Sequence, residues 1–385
     1  MRQSTPTTSP PAVRSETPGV DAAQLASLTD ALKSKRVVVV GDIVADEFVY
    51  GRVARVSREA PVLILEYDST EIVPGGAGNA ANNVAALGGR ATLVALVGRD
   101  LPGRRVVAAL HRRVDSRHLL RVSHTPTPVK TRILAGGIHS AKQQIVRIDR
   151  GVTRPVEPGV RQAFEKAALE AVLRGDAVLF SDYGSGLITP AFVDKVRRTL
   201  RRAQLAIPVL IDTRYRLLNY SGLTACTPNE SEVEQALGIR IDDNLKVLER
   251  AGREILARTR MEAVLITRGS RGMALFIRKG PTLHIPIFGT DSIVDVTGAG
   301  DTVVSTVALA LAAGSSFEGA ARLANYAGGL VVMKRGTATV NWEELRAVVS
   351  ERRGPLRPAR LDGRRGPSRP AGPISAWVKS CRALS

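Results

Sequence analysis

The segment DSIVDVTGAGD, which ends at Asp301, combines small residues with a carboxylate in a pattern suited to phosphoryl transfer. Thr297–Gly300 predict a tight turn, and Asp301 opens an apolar helix that we expect to reach about Ala313. Because Gly298 and Gly300 let backbone N–H groups point at one spot beside a helix N-terminus, they predict an anion site. Asp301 is placed to accept the proton of a hydroxyl that attacks a phosphoryl group there. The alternative is that Asp301 only caps the helix after an ordinary turn.

A second glycine-rich segment, GGAGNAANNVAALGG (75–89), has two interpretations. Gly76, Gly78 and Ala81 fit the dinucleotide fingerprint G-x-G-x-x-G/A, and Asp100 follows about twenty residues later. A true fingerprint comes directly after the first strand, whereas here that strand is followed by GDIVAD. A dinucleotide-dependent oxidoreductase is therefore disfavoured, and the glycines and asparagines of this segment are expected to contact another ligand.

The segment TPNESEVEQALG places Asn229 and Glu232 three residues apart at the predicted start of a helix. Such a pair suits the waters of Mg²⁺ beside nucleotide phosphates, because Mg²⁺ keeps several waters and takes few protein ligands. The alternative is a capping pair in which Glu232 serves the first helical turn. A later strand with a glycine-flanked turn, LITRGSRGMALF (265–276), fits either a nucleotide surface or a plain β-hairpin.

These segments must be positioned by short apolar runs that alternate with helical patterns. Val37–Val40 form a continuous apolar run, which is typical of a strand in a sheet covered on both faces. The alternation predicts an α/β layered domain with a largely parallel sheet. Two segments, 55–70 and 127–149, lack intervening helices and predict a small group of strands that covers a site.

Charge and composition exclude several classes of protein. The chain has 385 residues and a net charge of +19, but nine Lys or Arg against two acidic residues lie in the Pro/Gly/Arg-rich segment 351–385. We expect this tail and the Ser/Thr/Pro-rich residues 1–20 to be disordered. Few aromatic residues offer stacking surfaces for bases, so nucleic acid is disfavoured as a partner.

Neither a membrane nor a secretory route is indicated. No apolar run reaches the roughly 18 residues of a membrane span, and the N-terminal residues lack the apolar core of a secretory signal. Cys226 and Cys381 are too few for a disulfide framework. These features predict a reducing, cytoplasmic setting.

The motifs GGAGNAANNVAALGG, TPNESE and DVTGAGD, in this order, resemble those of the ribokinase (PfkB) family of sugar kinases over about residues 36–345. VVGDIVADEFVYG, SREAPV, QQIVRID and SDYGSG are similar to the branch that phosphorylates D-glycero-D-manno-heptose 7-phosphate at its 1-position. The resemblance implies a ribokinase-like three-layer α/β fold with a mostly parallel central sheet and a small β lid. It places the kinase domain at 21–350, with lid segments at about 50–74 and 125–150.

The resemblance also implies roles for individual residues. Asp301 is the expected catalytic base, and the amides of Gly298, Ala299 and Gly300 are the expected anion hole for the γ-phosphate of ATP. The implied sugar-binding residues are Asp46, Gly75, Gly76 and Asn79. The implied nucleotide-binding residues are Asn229, Glu232, Thr267, Gly269, Gly272 and Asn325.

The same resemblance implies cofactors and partners. The expected phosphoryl donor is ATP with Mg²⁺, held through water by Asn229 and Glu232, and a monovalent cation is a further candidate. The expected partners are a sugar or sugar phosphate and a second copy of the chain, since family members often form dimers through their lids.

The sequence departs from the heptose branch at two points. Ser185 stands in SDYGSG where the branch usually has the lysine of SDYAKG, and DTRY (212–215) replaces DPKG. The candidates to supply positive charge for a substrate phosphate are Lys130, Arg132, Arg147 and Arg214. Two alternatives stay open: a kinase for another sugar, sugar phosphate or nucleoside, and a non-catalytic regulator that binds nucleotide or sugar.

Overall fold

One long strand, β1 (Arg36–Val56), takes part in both sheets of the computed structural model. Its first residues pair in parallel with β3 (Arg90–Gly98) on one side and β8 (Ala177–Asp182) on the other. Its second half continues into a smaller sheet, which we call the lid. The structure describes residues 20–136, 142–151, 156–289, 295–334 and 336–351.

The remaining elements alternate along the chain much as the sequence predicts. The other strands are β2 (Leu63–Gly76), β4 (Val114–Asp115), β5 (Leu119–Val122), β6 (Val129–Gly136), β7 (Gln143–Arg150), β9 (Val209–Thr213), β10 (Ala225–Cys226), β11 (Ala263–Thr267), β12 (Met273–Ile277) and β13 (Thr282–Ile285). The α-helices are α1 (Ala22–Ala31), α2 (Ala77–Ala86), α3 (Leu101–Ala108), α4 (Pro158–Val172), α5 (Pro190–Arg202), α6 (Glu230–Leu237), α7 (Leu245–Thr259), α8 (Ala299–Ala312), α9 (Phe317–Val331) and α10 (Trp342–Glu351). Short 3₁₀ helices span Leu32–Ser34, Leu217–Asn219 and Gly269–Arg271.

The central sheet has the strand order β13-β12-β11-β10-β9-β8-β1-β3-β4, and β5 also pairs with β3. The pairings from β11 to β4 are parallel, while β12 and β13 add an antiparallel edge. One face packs against α1, α2, α8, α9 and α10, and the other against α4, α5, α6 and α7. Val37–Val40 are fully buried because helices cover both faces. The predicted three-layer α/β fold is confirmed.

The lid consists of four strands in the order β2-β1-β6-β7. β2 and β7 run antiparallel to their neighbours, whereas β6 is parallel to β1. In the register of this sheet, Asp46 lies opposite Lys130 on one side and Val73 on the other. The lid therefore brings acidic and basic side chains from distant segments to the carboxyl edge of the central sheet.

Apart from Val20 and Glu351, the predicted tails at 1–20 and 351–385 lie outside the described residues. The described residues belong to one compact unit. Within the described ranges, no helix has the length and apolarity needed to cross a membrane. Cys226 is buried and unpaired, and Cys381 lies outside these ranges.

Candidate active site

Asp301 lies in the first turn of α8, but it does not cap the helix. The N-cap is Gly298, and no side-chain hydrogen bond caps this helix. The Asp301 carboxylate instead accepts two hydrogen bonds from other elements. Asn79 Nδ2 donates to Oδ2 at 2.7 Å, and the Tyr183 hydroxyl donates to Oδ1 at 3.1 Å. The interpretation of Asp301 as a simple helix cap does not hold.

The charge state of Asp301 suits a general base. Burial raises the pKa of its carboxyl to about 6, against the opposing hydrogen bonds from Asn79 and Tyr183 and the charge of Arg214. The carboxyl is therefore ionised at neutral pH, yet its basicity is well above that of an exposed aspartate. A pKa near the working pH makes proton transfer most efficient.

The turn before α8 contains a glycine in the left-handed region of backbone conformation. Gly298 has a φ of +78°, and a Cβ at this position would lie 2.7 Å from Asn79 Nδ2, so only glycine fits. The Ala299 N–H donates to the Val296 carbonyl at 3.2 Å. The amide of Ala299, predicted as part of the anion hole, thus already has a partner inside the turn. Thr297 N is held by Asp295 Oδ1 at 2.9 Å, which anchors the turn.

Asp46 lies on β1 where the strand enters the lid. Arg132 Nη1 donates to its Oδ1 at 2.5 Å, and Thr337 Oγ1 lies 3.4 Å from its Oδ2. Gly75 on the paired strand β2 leaves room for the Asp46 carboxylate, because a Cβ at position 75 would lie 2.4 Å from Asp46 Oδ2. Gly76, at the N-cap of α2, has a φ of +59° and likewise passes close to β1.

Two cations lie against the ring of Tyr183. Lys130 Nζ is 5.1 Å from the ring centroid, and Arg214 Cζ is 4.7 Å from it. Burial and the charge of Arg214 lower the pKa of Lys130. One cavity brings these three residues together with the expected base and with Asp46 and Gly76, whereas the other predicted sugar-binding residues, Gly75 and Asn79, do not line it. It is lined by Val44, Asp46, Gly76, Lys130, Arg132, Tyr183, Arg214, Val296, Thr297, Gly298 and Asp301.

Arg147 is placed apart from this cavity. It pairs with Asp149 at 2.9 Å on the exposed face of the lid strand β7. It lines a neighbouring cavity that shares Lys130, Tyr183 and Arg214 with the first. Of the four predicted phosphate-binding cations, three therefore converge on the Asp301 cavity and Arg147 does not.

Asn229 and Glu232 form a capping box at the start of α6. Asn229 Oδ1 accepts from Glu232 N, and Glu232 Oε2 accepts from Asn229 N, each at 2.9 Å. Burial raises the pKa of Glu232, and Arg214 opposes this. Asn229 and Glu232 therefore form the capping pair that the sequence left open as an alternative. The charge of Arg214, which lines the Asp301 cavity, also acts on Glu232.

The other predicted nucleotide residues lie farther along the same edge of the sheet. Thr267 N donates to the Pro228 carbonyl at 2.9 Å, which joins the ends of β10 and β11. Gly269 and Gly272, with φ of +55° and +79°, form the turn of the β11-β12 hairpin. Asn325 Nδ2 donates to the Pro286 carbonyl at 2.8 Å. None of these residues lines the Asp301 cavity in the described structure.

The donor set fits a metal held indirectly. Among the described residues, no three His, Cys, Asp or Glu side chains gather to hold a metal ion. Burial, together with the negative charge of Glu232, raises the pKa of Asp212 well above its usual range. Mg²⁺ that is carried on phosphates and keeps its waters suits such a site.

Sequence reasoning missed several residues of the site, above all Tyr183 and Asp42. Asp42 Oδ2 accepts from Tyr183 N at 2.9 Å, although the two residues are 141 positions apart. A usable signal existed: SDYGSG (181–186) spans the carboxyl end of β8, and ligands of open α/β sheets bind beyond the carboxyl ends of strands. The contact with Asp301, however, depends on the placement of α8.

Together, the fold and this cavity define an α/β protein with a ligand site between the carboxyl edge of a parallel sheet and a β lid. The model of the pfkB family carbohydrate kinases matches residues 34–344. The chain therefore belongs to the pfkB family of carbohydrate kinases, as its motifs predict.

Two relatives with sequence similarity carry the name bifunctional protein HldE. The chain is 41% identical over 333 residues, 86% of its length, to the bifunctional protein HldE of Caulobacter vibrioides. It is 41% identical over 310 residues, 80% of its length, to the bifunctional protein HldE of Geobacter metallireducens. The matches span 66% and 61% of the length of these two relatives.

Solved structures share the fold at lower identity. Arabidopsis thaliana ribokinase complexed with ribose and ATP matches with a TM-score of 0.62 and 21% identity, over 82% of this chain and 99% of that one. Phosphofructokinase-2 from Escherichia coli in complex with potassium matches with a TM-score of 0.63 and 16% identity, over 82% and 98%. These likenesses confirm the ribokinase-like fold.

Proposed function

We propose that the protein transfers the γ-phosphate of ATP to a hydroxyl of a sugar phosphate, and that the substrate is D-glycero-β-D-manno-heptose 7-phosphate, phosphorylated at its 1-position. The observation that carries the proposal is the buried carboxylate of Asp301, with a pKa of about 6, in a cavity with three cationic side chains. The substrate follows from the heptose-branch motifs and from the relatives named HldE. Availability of ATP and the unpaired, buried Cys226 favour the cytoplasm as the setting.

The reaction requires one proton transfer and one phosphoryl transfer. Asp301 accepts the proton of the acceptor hydroxyl while that oxygen attacks the γ-phosphorus. The bond from the γ-phosphorus to the bridging oxygen breaks, and ADP leaves. Asp46 and the glycine pair at 75–76 orient the sugar. The N-terminus of α8 and the amides of its preceding turn stabilise the negative charge on the transferred group.

The cations divide between the two ends of the site. Lys130 and Arg214 line the cavity, and a phosphate on the substrate would balance their positive charges. Arg132 already pairs with Asp46. Mg²⁺ bound to ATP would supply charge neutralisation of the phosphates, held through water by Asp212 and Glu232. Asn229 forms the capping hydrogen bonds with Glu232, so its contribution is to hold Glu232 in place.

Two other functions are supported by particular observations. Ser185 in place of the branch lysine favours a different sugar phosphate, a sugar or a nucleoside as the acceptor. The partnered amide of Ala299 in the expected anion hole favours a regulator that binds ligand without turnover.

The deciding experiment is an ATP-consumption assay over sugars, sugar 7-phosphates and nucleosides. Asp301→Asn serves as the blank, and Asp30→Asn, an exposed carboxylate paired with Arg346, serves as the matched control. We expect the heptose 7-phosphate to give the highest kcat/KM in the wild type and the control, and Asp301→Asn to lose about 10²–10⁴-fold in kcat. A higher kcat/KM with another acceptor would overturn the substrate. Tight ATP binding with no acceptor phosphorylated would favour the regulator.

The exposed surface of the lid supports a homodimer. Large apolar side chains lie on this surface with little cover in the single chain: Val53, Val56, Leu63, Tyr67, Ile145 and Ile148. Exposed apolar patches of this kind mark interaction sites. Sedimentation of the wild type and of Ile148→Glu tests the dimer, since a wild-type monomer would contradict it.

A further inference from the structure

Tyr183 touches the expected catalytic base, and the proposed reaction has not yet used it. Its hydroxyl donates to Asp301 Oδ1 at 3.1 Å, on the oxygen that Asn79 does not hold. Asn79 comes from α2, whereas Tyr183 follows β8. Two separate elements thus fix the two oxygens of one carboxylate.

The backbone of Tyr183 is held by the buried carboxylate of Asp42. Asp42 accepts from Tyr183 N at 2.9 Å, from Ser185 N at 3.3 Å and from Ser185 Oγ at 2.5 Å. Gly184, between them, has a φ of +85° and donates its N–H to Asp182 Oδ1 at 3.0 Å. Every residue of the turn 183–185 therefore has a polar anchor, and the ring has little freedom to leave Asp301.

The ring itself lies at the boundary of two cavities. Lys130 and Arg214 lie against it and line both the Asp301 cavity and its neighbour. Cations near an aromatic ring are attracted to its face. Three sets of contacts thus position Tyr183: Asp42 at its backbone N–H, the two cations at its ring, and Asp301 at its hydroxyl.

We propose that Tyr183 is a positioning residue for phosphoryl transfer, whose hydroxyl holds the Asp301 carboxylate in the orientation that receives the proton of the acceptor. The expected effect on turnover rests on the proposed function. The hydrogen bond between Tyr183 and Asp301 does not depend on that function. A hydrogen bond donated to a carboxylate stabilises the ionised form, so loss of the hydroxyl leaves the base harder to ionise. The other groups facing Asp301 are Asn79, Asp46, Asp212 and Arg214, and Arg214 also forms a hydrogen bond with the Tyr183 hydroxyl.

The test is the pH profile of Tyr183→Phe. We expect the acid limb of kcat to move up by about one pH unit, since a hydrogen bond to a charged group has that strength. The loss of kcat is then roughly tenfold on the acid limb, a smaller loss remains at alkaline pH because the ionised carboxylate is no longer held in orientation, and KM for ATP stays unchanged. An acid limb that stays in place would overturn the proposal.

The matched control is Tyr220→Phe. Tyr220 is also buried and donates its hydroxyl to a carboxylate, Asp182 Oδ2, at 2.8 Å, but it does not line the Asp301 cavity. We expect this variant to lower the Tm without moving the acid limb. If Tyr183→Phe behaves in the same way, its role is structural only and the proposal fails.

Two further measurements keep the result independent of folding and of turnover. Incorporation of 3-fluorotyrosine at position 183 gives a stronger donor of nearly the same size, and it should move the acid limb down. NMR titration of the Asp301 carboxyl in wild type and Tyr183→Phe needs no substrate. A shifted titration in a protein that phosphorylates no acceptor would refute the proposed function and leave the Tyr183 contact supported, whereas an unshifted titration would refute the contact's role.

Discussion

Asn79 and Asp301 are separated by 222 positions in the chain, and the amide of one donates to the carboxylate of the other at 2.7 Å. The orientation of that amide is fixed by its neighbours. Asn83 Nδ2 donates to Asn79 Oδ1 at 3.1 Å, and Thr302 Oγ1 donates to Asn83 Oδ1 at 2.8 Å. Because Asn83 occupies the carbonyl of Asn79, the NH₂ group must face Asp301. Asn79, which the resemblance predicts as a sugar ligand, therefore fixes the orientation of the Asp301 carboxylate.

The pH dependence of turnover follows from the buried carboxyl. The pKa of Asp301 is raised to about 6, so the base is ionised above this pH and protonated below it. We expect kcat at saturating substrates to fall about tenfold per pH unit below that value. Initial rates across the acid range measure this, with return to neutral pH as the control for unfolding. A kcat that stays constant down to the usual pKa of an aspartate would contradict the assignment.

The same carboxyl makes stability depend on pH. Its pKa is higher in the folded state than in the unfolded chain, so the folded state favours the protonated form. The resulting cost to folding is absent below the unfolded pKa of 3.8, grows as the pH rises to about 6 and is constant above that. It reaches roughly 3 kcal/mol for a shift of about two units. Asp301→Asn should therefore have a higher free energy of unfolding than the wild type at alkaline pH.

Urea unfolding at several pH values tests this expectation. The advantage of Asp301→Asn should shrink towards acidic pH, where the wild-type carboxyl is protonated as well. Asp30→Asn, on the surface, should differ little from the wild type throughout. An advantage of the same size at acidic and alkaline pH would show that packing, not ionisation, is responsible.

Gly75→Ala tests the sugar end of the site. The added Cβ would lie 2.4 Å from Asp46 Oδ2, so the carboxylate must turn away. We expect KM for the acceptor to rise about tenfold or more, while KM for ATP changes little. Gly159→Ala is the control, because a Cβ there meets no atom within 4 Å. Equal acceptor KM values in the two variants would contradict the role of Asp46 in binding the acceptor.

Arg132→Met tests the buried ion pair with Asp46. The two side chains are only 11% and 9% exposed, so loss of the arginine leaves a buried carboxylate without its cation. We expect a loss of about 3–5 kcal/mol in the free energy of unfolding, with part of it restored by Asp46→Asn. The matched variant Arg147→Met breaks an exposed pair, 50% and 33% exposed, and should cost less than about 1 kcal/mol. Similar losses in both variants would contradict the distinction.

Much of the site could be predicted because its chemistry is carried by short segments. The turn before α8 needs small residues and a positive φ at Gly298, and both requirements are visible in T-G-A-G-D. The pair Asn229 and Glu232 was equally visible, but its two interpretations differ only in what the side chains contact. The capping bonds were found only in the structure.

Other features depend on which strands lie side by side. Tyr183 meets Asp42 because β8 pairs with β1, and it meets Asp301 because α8 packs over that edge. No local pattern in SDYGSG specifies either contact. The position of Arg147 also depends on tertiary structure: it pairs with Asp149 on β7 and lines the neighbouring cavity rather than the Asp301 cavity, and its role in phosphate binding stays a prediction.

The sequence by itself determined the layered α/β fold, the family, the two glycine turns and the identity of the expected base, because periodicity and turn chemistry are local properties. Only the tertiary structure decided what each polar side chain contacts. It set the raised pKa of Asp301, the pairing of Arg132 with Asp46 and the place of Tyr183. These properties arise from burial and from the approach of segments that are distant in the chain, and neither is encoded at any one position.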